Sequence, residues 1–343
     1  MALLNKPILT EQFMVFATRE CNGSSRLYEQ LSLAIADDEE MLQMASYCRE
    51  GQPVPNLFFA AVQYLLRKET SHELQKFYGS IVNHPRDAAE AFPFFKHFCL
   101  QHKNEIVQLL QNKLVQTNEV RRCAYLYPAF CYMYQKTKKP LAIIEIGTSA
   151  GLQLFWDKYS YQYNDSETYG NTDAELVLRS EVRGDVIPHL LKQSPPVIAR
   201  IGIDLHINNL EEADDYLWLK SLIWPEHNER IVNFDKAASL LKGQQMELFQ
   251  GNGAKRLAEM AAKITEDCVI GVFHTHVANQ MTHDDKVELT DSIRRIGQQR
   301  DIFHLYNNMW DPYLHLDYYL EGKEQKETLA ETDGHGRWFR WML

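Results

Sequence analysis

Hydrophobic positions follow a helical period in the first part of the chain. From Thr10 to about Lys139, apolar residues recur three and four positions apart, as in NLFFAAVQYLLRK and HKNEIVQLLQNKL. Asn56 is the expected cap of the first of these helices. Thr117 is the expected cap of a further helix in VQTNEVRRCAYLYPAFCYMYQ, where Glu119 suits the positive end of the helix dipole. No stretch here alternates like a strand. We therefore expect residues 1–139 to form a helical N-terminal domain that contributes a lid or substrate contacts.

Short β-branched runs replace this pattern after Pro140. They are LAIIEIG, PVIARIGIDL, MELFQGN, CVIGVFHTH and IFHLYNN, and helical patterns separate most of them. Strands that alternate with helices form right-handed crossovers and a mostly parallel sheet. The stretch at about 159–195 reads as an insertion of short strands and turns, and YLHLDYYLEG with RWFRWML predicts a closing antiparallel hairpin. The sequence thus predicts an α/β protein with a doubly wound, Rossmann-like domain over residues 140–343.

Composition narrows the class of protein. The chain has 343 residues, of which 45% are hydrophobic, and a net charge of -10. No apolar run approaches the ~18 residues of a membrane span, and no Lys/Arg cluster offers a surface for a phosphate backbone. We expect no secretory signal, because MALLNKPILTEQF has no continuous apolar segment. The six cysteines lack C-x-x-C spacing, which favours reduced, buried thiols. We expect a cytoplasmic protein with a small-molecule substrate and with neither nucleic acid nor membrane as partner.

The turn in LAIIEIGTSAGLQLFWDKY allows two interpretations. As G-x-S-x-G it is a nucleophile elbow, with Ser149 attacking a carbonyl and His335 as base, oriented by Asp204 or Asp301. A hydrolase fold places several strands and a glycine-rich oxyanion loop before that elbow. Only helical patterns precede this turn. The hydrolase interpretation therefore stays as the alternative.

As E-x-G-x-x-x-G after a first strand, the same turn binds a cofactor. Gly147 and Gly151 let the backbone bend and approach a ligand, and Glu145 stands at the end of the strand. The next strand ends in Asp204, where nucleoside-binding folds hold ribose hydroxyls. Asp204 comes 57 positions after Gly147, against about twenty in dinucleotide folds, so the insertion has to loop out. The turn is not the full G-x-G-x-x-G that cradles a pyrophosphate, which favours S-adenosylmethionine over a dinucleotide.

The second part of the chain resembles the class I S-adenosylmethionine-dependent methyltransferases. It shares with them the acid-x-Gly turn, the acid that ends the second strand and the antiparallel hairpin at the end of the sheet. The whole chain also resembles an uncharacterised bacterial family, a domain of unknown function, that joins a helical half to such a fold. The stretches that carry this second resemblance are VPNLFFAAVQYLL, QTNEVRRCAYLYPAF, EIGTSAGLQLFWDKY, RIGIDLHINNLEEADDYLWLKSLIWPE and DGHGRWFRW.

Three further stretches carry polar residues that suit a site. In VFHTHVANQM, His274 and His276 lie two apart on an expected strand end, so both should point to one face. A metal would need a third ligand such as His335, and spacing identifies none. In DGHGRWFRW, glycines flank that histidine, and a guanidinium next to it would suit an anionic substrate. In QTNEVRR, capping leaves several polar residues without a structural explanation.

The sequence therefore predicts an S-adenosylmethionine-dependent methyltransferase acting on a small molecule. The alternatives are a serine hydrolase and a non-catalytic nucleoside-binding protein of the same fold. No metal is expected. The expected catalytic residues are His276 and His335, the cofactor-binding residues Glu145, Gly147, Ser149, Gly151, Asp204 and Asn252, and the substrate-binding residues Gln116, Asn118, Arg122, His274, Asn279 and Arg337.

Overall fold

The computed structural model describes residues 5–164 and 167–343. Helices and strands are both abundant in it. The helices are α1 (Lys6–Val15), α2 (Arg26–Ala36), α3 (Glu39–Ala45), α4 (Val54–Lys68), α5 (Ala91–Gln101), α6 (Lys103–Asn112), α7 (Cys123–Thr137), α8 (Ala213–Ser221), α9 (Asn228–Leu241), α10 (Gly253–Ala261) and α11 (His283–Gly297). The strands are β1 (Leu141–Ile146), β2 (Ser160–Tyr163), β3 (Thr168–Gly170), β4 (Val177–Arg183), β5 (Val197–Asp204), β6 (Glu247–Gln250), β7 (Val269–His274), β8 (Ile302–Asn307), β9 (Leu314–Leu320), β10 (Lys323–Thr332) and β11 (Trp338–Trp341).

Contacts divide the chain into two compact units. The first is Met1–Thr117 with Glu211–Val232, and the second is Asn118–Leu210 with Asn233–Leu343. The expected boundary at residue 140 is not where the contacts divide the chain. Helix α7 belongs with the sheet because the ring of its Phe130 lies 5.5 Å from the ring of Phe273 in β7.

Helix starts in the first part of the chain differ in detail from the expected caps. Asn56 lies inside α4, which begins directly after Pro53. Pro55 is tolerated in the first turn of this helix because a proline there lacks only an N–H that would have no partner. Thr117 caps no helix. Glu119 instead accepts the N–H of Arg121 at 3.1 Å and starts a short 3₁₀ turn, Val120–Arg122.

All the strands join one sheet. Its order is β3-β2-β4-β11-β10-β9-β8-β7-β1-β5-β6, and it is mostly parallel. The five runs expected as strands are confirmed as β1, β5, β6, β7 and β8. Within the described residues, no strand precedes Leu141. The strands of the insertion extend the sheet, because β4 pairs with β11.

The end of the sheet differs from the expected pairing of YLHLDYYLEG with RWFRWML. Strand β10 lies between β9 and β11 and is antiparallel to both. Its first residues, KEQKET, are mostly exposed and charged. Such an exposed, charged stretch lacks the apolar alternation by which strands are recognised in a sequence.

Helices pack on both faces of the parallel strands. On one face, α10 and α11 form a core with β1, β5 and β7 around Ile144, Ile203, Leu257 and Leu289, all fully buried. On the other face, Phe130 of α7 stacks on Trp156 at 4.2 Å. Burying each such side chain contributes about 1.5–3 kcal/mol. The resulting rigid layers hold the carboxyl ends of the strands in place.

Two expectations from composition can be compared directly with the structure. All six cysteines are buried and free. In the part of the chain that the structure describes, no helix combines the length and apolarity needed to cross a membrane.

Candidate functional site

Several of the expected site residues lie at the carboxyl edge of the parallel strands. Strand β1 lies between β5 and β7, and the chain passes from β1 to β5 on one side and later to β7 on the other. This is a topological switch point, where open α/β sheets bind ligands. Because β10 runs antiparallel to β9, the turn Asp333–Arg337 after it lies at the same edge.

The glycine turn after β1 has positive φ at three residues, Gly147, Ser149 and Gly151. Gly147 has φ 77°, and a Cβ there would lie 1.9 Å from a methyl carbon of Val277, so no other residue fits. Ser149 has φ 52°, which a serine adopts only at a cost. Its N–H donates to Oδ2 of Asp204 at 2.8 Å, and its hydroxyl oxygen accepts from Nδ2 of Asn208 at 3.1 Å.

Asp204 ties the end of β5 to this turn. Its other oxygen, Oδ1, accepts the N–H of His206 at 3.1 Å. Burial raises the pKa of its carboxyl, while the backbone N–H groups of His206 and Ser149 act in the opposite direction. The side chain is only half-buried. The carboxylate therefore organises the turn, and its side chain stays partly exposed at the end of β5.

Glu145 is buried against the inner side of the glycine turn. It is 3% exposed, and its Oε2 accepts the hydroxyl of Thr148 at 2.7 Å. Burial raises the pKa of this carboxyl well above its ordinary value. In this position Glu145 supports the turn from below through Thr148.

The segment after the turn is a 3₁₀ helix, Leu152–Lys158, interrupted at Phe155. Most amides of the turn already have acceptors: Gly147 donates to the carbonyl of Ile203 and Gly151 to that of Thr148, each at 2.8 Å. A phosphate site needs amides that point at the ligand and a regular helix N-terminus behind them. In this turn four amides donate to protein acceptors and a 3₁₀ helix follows, so it suits a phosphate poorly.

Asn252 has a structural position at the start of α10. Its side-chain oxygen accepts the N–H of Lys255 at 3.3 Å, and its Nδ2 donates to Asp285 at 2.9 Å. It thus caps one helix and links it to the first turn of the next.

His274 and His276 do not share a face, contrary to the expectation from their spacing. His274 ends β7, is fully buried, and its Nε2 lies 3.1 Å from Nε2 of His304. Burial lowers the pKa of His274 to about 3, and the pKa of His304 falls well below its usual value for the same reason. His276 lies beyond the strand at φ 61°, so strand alternation does not apply to it. Within the described residues, no group of three His, Cys, Asp or Glu side chains could hold a metal.

His276 is held by two asparagines that the sequence did not single out. Its N–H donates to Oδ1 of Asn307 at 3.0 Å, and its Nδ1 lies 3.3 Å from Nδ2 of Asn308. Asn307 is fully buried at the end of β8, and Asn308 has φ 56°. Consecutive asparagines after a buried strand are a usable signal, because asparagine tolerates a left-handed backbone.

The turn between β10 and β11 is fixed to the segment before α7. The guanidinium of Arg121 donates to the carbonyl of His335 at 3.1 Å, and that of Arg122 to the carbonyl of Gly334 at 2.9 Å. A Cβ on Gly336 would lie 2.5 Å from the carbonyl oxygen of Arg121, so this close approach requires a glycine.

Arg337 has a partner inside the same turn. It binds Asp333 in a bidentate pair with distances of 2.7 and 3.0 Å, which helps to lower the pKa of that carboxyl to about 2 against the effect of burial. The pair rigidifies the loop that carries His335.

The remaining expected substrate contacts are Asn118, Asn279 and Gln116. Nδ2 of Asn118 lies 3.5 Å from the carbonyl of Thr148, which brings this asparagine to the glycine turn. Asn279 is exposed in the 3₁₀ turn Val277–Gln280. Gln116 belongs to the first unit.

The surroundings of Ser149 bear on the hydrolase alternative. A nucleophilic serine needs a base within hydrogen-bond reach of its hydroxyl. Across residues 5–164 and 167–343, the hydrogen-bond partner of that hydroxyl is the side-chain amide of Asn208, which donates and cannot take a proton. The hydroxyl is also buried, at 4% exposure of the residue. We therefore interpret Ser149 as part of the turn.

Comparisons with known proteins identify the family of the chain. A family profile described as "Uncharacterized protein conserved in bacteria (DUF2332)" matches residues 10–341. The chain belongs to this family. Comparison with the curated proteins and with the solved structures gave no match.

Proposed function

We propose that the second unit is a Rossmann-like domain that binds S-adenosylmethionine and transfers its methyl group to a small molecule. The observation that carries this proposal is the carboxylate of Asp204, 2.8 Å from the amide of Ser149 in the glycine turn. It stands at the switch point of the sheet, where this fold class binds nucleosides. In this proposal the same carboxylate that organises the turn is the acceptor for a ribose hydroxyl.

The chemistry of the turn favours a nucleoside cofactor without a pyrophosphate. The amides of Gly147, Ser149 and Gly151 donate to protein acceptors. A dinucleotide would require them for its phosphates. S-adenosylmethionine makes no such demand, so the residues present fit it better.

Bound S-adenosylmethionine supplies a methyl group on a sulfonium, ready for displacement by a lone pair of the acceptor. The protein contributes mainly by placing the two in line. His335 is the base in this proposal where the acceptor must lose a proton. Burial lowers the pKa of His276 to about 3, which leaves that ring neutral and a weak base.

A thermal-shift screen across nucleoside ligands tests the proposal. We expect S-adenosylmethionine and S-adenosylhomocysteine to raise the Tm of the full chain, and NAD to leave it unchanged, because only ligands of the folded state stabilise by mass action. The effect should disappear in Asp204→Ala. The matched control is Asp301→Ala, an acid that likewise accepts a backbone N–H, that of Glu321 at 3.0 Å, but at the start of β8. A rise with NAD alone, or an equal rise in Asp204→Ala, would refute the proposal.

A further inference from the structure

Left-handed backbone is concentrated at the candidate site. In the described residues, the non-glycine residues with positive φ are Lys138, Ser149, Asn164, His276, Asn308 and Glu321. Three of them, Ser149, His276 and Asn308, follow the carboxyl ends of the adjacent strands β1, β7 and β8. Such conformations persist only where surrounding contacts enforce them, and they cluster at ligand sites.

Two asparagines enforce the conformation of His276. Asn307 fixes the backbone by accepting its N–H at 3.0 Å, and is itself buried with its Nδ2 3.4 Å from the hydroxyl of Tyr125. Asn308 contacts the ring, with its Nδ2 3.3 Å from Nδ1 of His276. Backbone and ring orientation are therefore both determined by β8 and the residue after it.

The contact with Asn308 also sets the tautomer of the ring. An amide NH₂ only donates, so Nδ1 accepts and the proton of the neutral imidazole lies on Nε2. Burial above all, and then the charges of Arg122 and His335, lower the pKa of His276 against the opposite effect of Asp333, so the ring stays neutral. Nε2 is buried and makes no hydrogen bond to the part of the chain that the structure describes.

The edge of the ring faces the turn that carries the proposed base. Its Cε1 lies 3.6 Å from the position that a Cβ would take on Gly334. A buried N–H without an acceptor is unfavourable, and such groups mark places where a ligand or water completes the network. The donor therefore lies beside the His335 segment.

We propose that Asn307 and Asn308 position His276 so that its Nε2–H donates a hydrogen bond to an oxygen of the bound small molecule. This inference rests on the proposed function, since it takes that site as the substrate site. It favours substrates that present a hydrogen-bond-accepting oxygen, such as that of a carbonyl or carboxylate, to this ring. The positive charge of Arg122, whose guanidinium lies 3.4 Å from the hydroxyl of Thr275 next to the ring, favours the same class. His276 is then a hydrogen-bond donor, and proton removal falls to His335.

Long-range ¹H–¹⁵N correlation spectra of the full chain with ¹⁵N-labelled histidine test the tautomer. His276 is assigned with His276→Gln. We expect the neutral Nε2–H form, and in Asn308→Asp a change to the Nδ1–H form, because a carboxylate there accepts from Nδ1. The matched control is Asn164→Asp, another asparagine with positive φ, 49°, whose side chain bonds to Val182. It should leave His276 unchanged.

Acetate serves as the oxygen probe in the same spectra. We expect acetate to shift the Nε2–H signal of His276 downfield in the unchanged chain and in Asn164→Asp, and not in Asn308→Asp. An Nδ1–H tautomer in the unchanged chain, or an acetate shift that is equal in Asn308→Asp, would overturn the inference. S-adenosylmethionine titrated into the same samples reports the proposed function separately. A chain that shows the expected tautomer and acetate response without binding S-adenosylmethionine would refute that function and leave the donor role of His276 standing.

Discussion

The buried pair His274 and His304 makes a quantitative prediction about acid stability. Both rings are buried, with Nε2 atoms 3.1 Å apart, and the positive charge of Lys286 adds to the effect of burial in lowering the pKa of His274. Their folded pKa values lie below the unfolded value of about 6.5, at about 3 for His274. The unfolded chain therefore binds more protons between these values. Stability from the neutral pair is fully present above about pH 6.5 and is lost as the pH falls toward the folded pKa.

The magnitude follows from proton linkage. Lowering the pH from about 7.5 to about 5.5 costs about 1.4 kcal/mol of unfolding free energy for each histidine that protonates only when unfolded. The pair thus contributes a loss of about 2.7 kcal/mol. In His304→Gln one titrating ring is gone, so this variant should lose about 1.4 kcal/mol less than the unchanged chain over the same interval.

Urea unfolding followed by tryptophan fluorescence at the two pH values measures this difference, provided that the slope of free energy on urea stays constant. The matched control is His283→Gln, which removes an exposed histidine at the start of α11. Between the two pH values this variant should lose as much unfolding free energy as the unsubstituted chain. If His304→Gln also loses as much as the unchanged chain, the rings are not kept neutral by burial and the reasoning fails.

Two substitutions in the glycine turn give further predictions. Gly147→Ala should lower the unfolding free energy by about 3 kcal/mol, because of left-handed backbone strain and overpacking against Val277. The control is Gly23→Ala, where φ is 71° and the space around the Cβ is open. It should lower the unfolding free energy by about 1 kcal/mol in the same urea titration. Ser149→Ala should cost about 1 kcal/mol, the hydrogen bond from Asn208, and the unchanged chain should not react with a fluorophosphonate. Covalent labelling of Ser149 would instead establish the hydrolase alternative.

Buried strands were the most predictable part of the fold. In β1 all six residues are buried, and in β7 likewise, so continuous apolar runs marked them. Strand β10 was not predicted, because its first half is exposed and charged. The assignment of α7 to the unit that contains the sheet could not be predicted from the sequence, because an apolar helix face can pack on another helix or on a sheet.

The candidate site was predictable where local backbone chemistry determines it. Gly147 and Asp204 follow strand ends, and they meet at the turn as the topology of parallel strands requires. The arrangement of His276 was not predictable from spacing, since alternation ends where the strand ends and the residue adopts φ 61°. The hydrogen bonds from Arg121 and Arg122 to the carbonyls of His335 and Gly334 could not be predicted from the sequence either, because every residue has a backbone carbonyl and none is marked as an acceptor.

The most direct measurement is calorimetric titration of S-adenosylmethionine into the full chain, Asp204→Asn and Asp301→Asn. Removing one charged acceptor of a ribose hydroxyl costs about 1.5–3 kcal/mol, or roughly ten- to a hundredfold in Kd. We predict binding by the unchanged chain and by Asp301→Asn with equal affinity, and a loss of that size in Asp204→Asn. Absence of binding in the unchanged chain, or equal affinity in Asp204→Asn, would contradict the account.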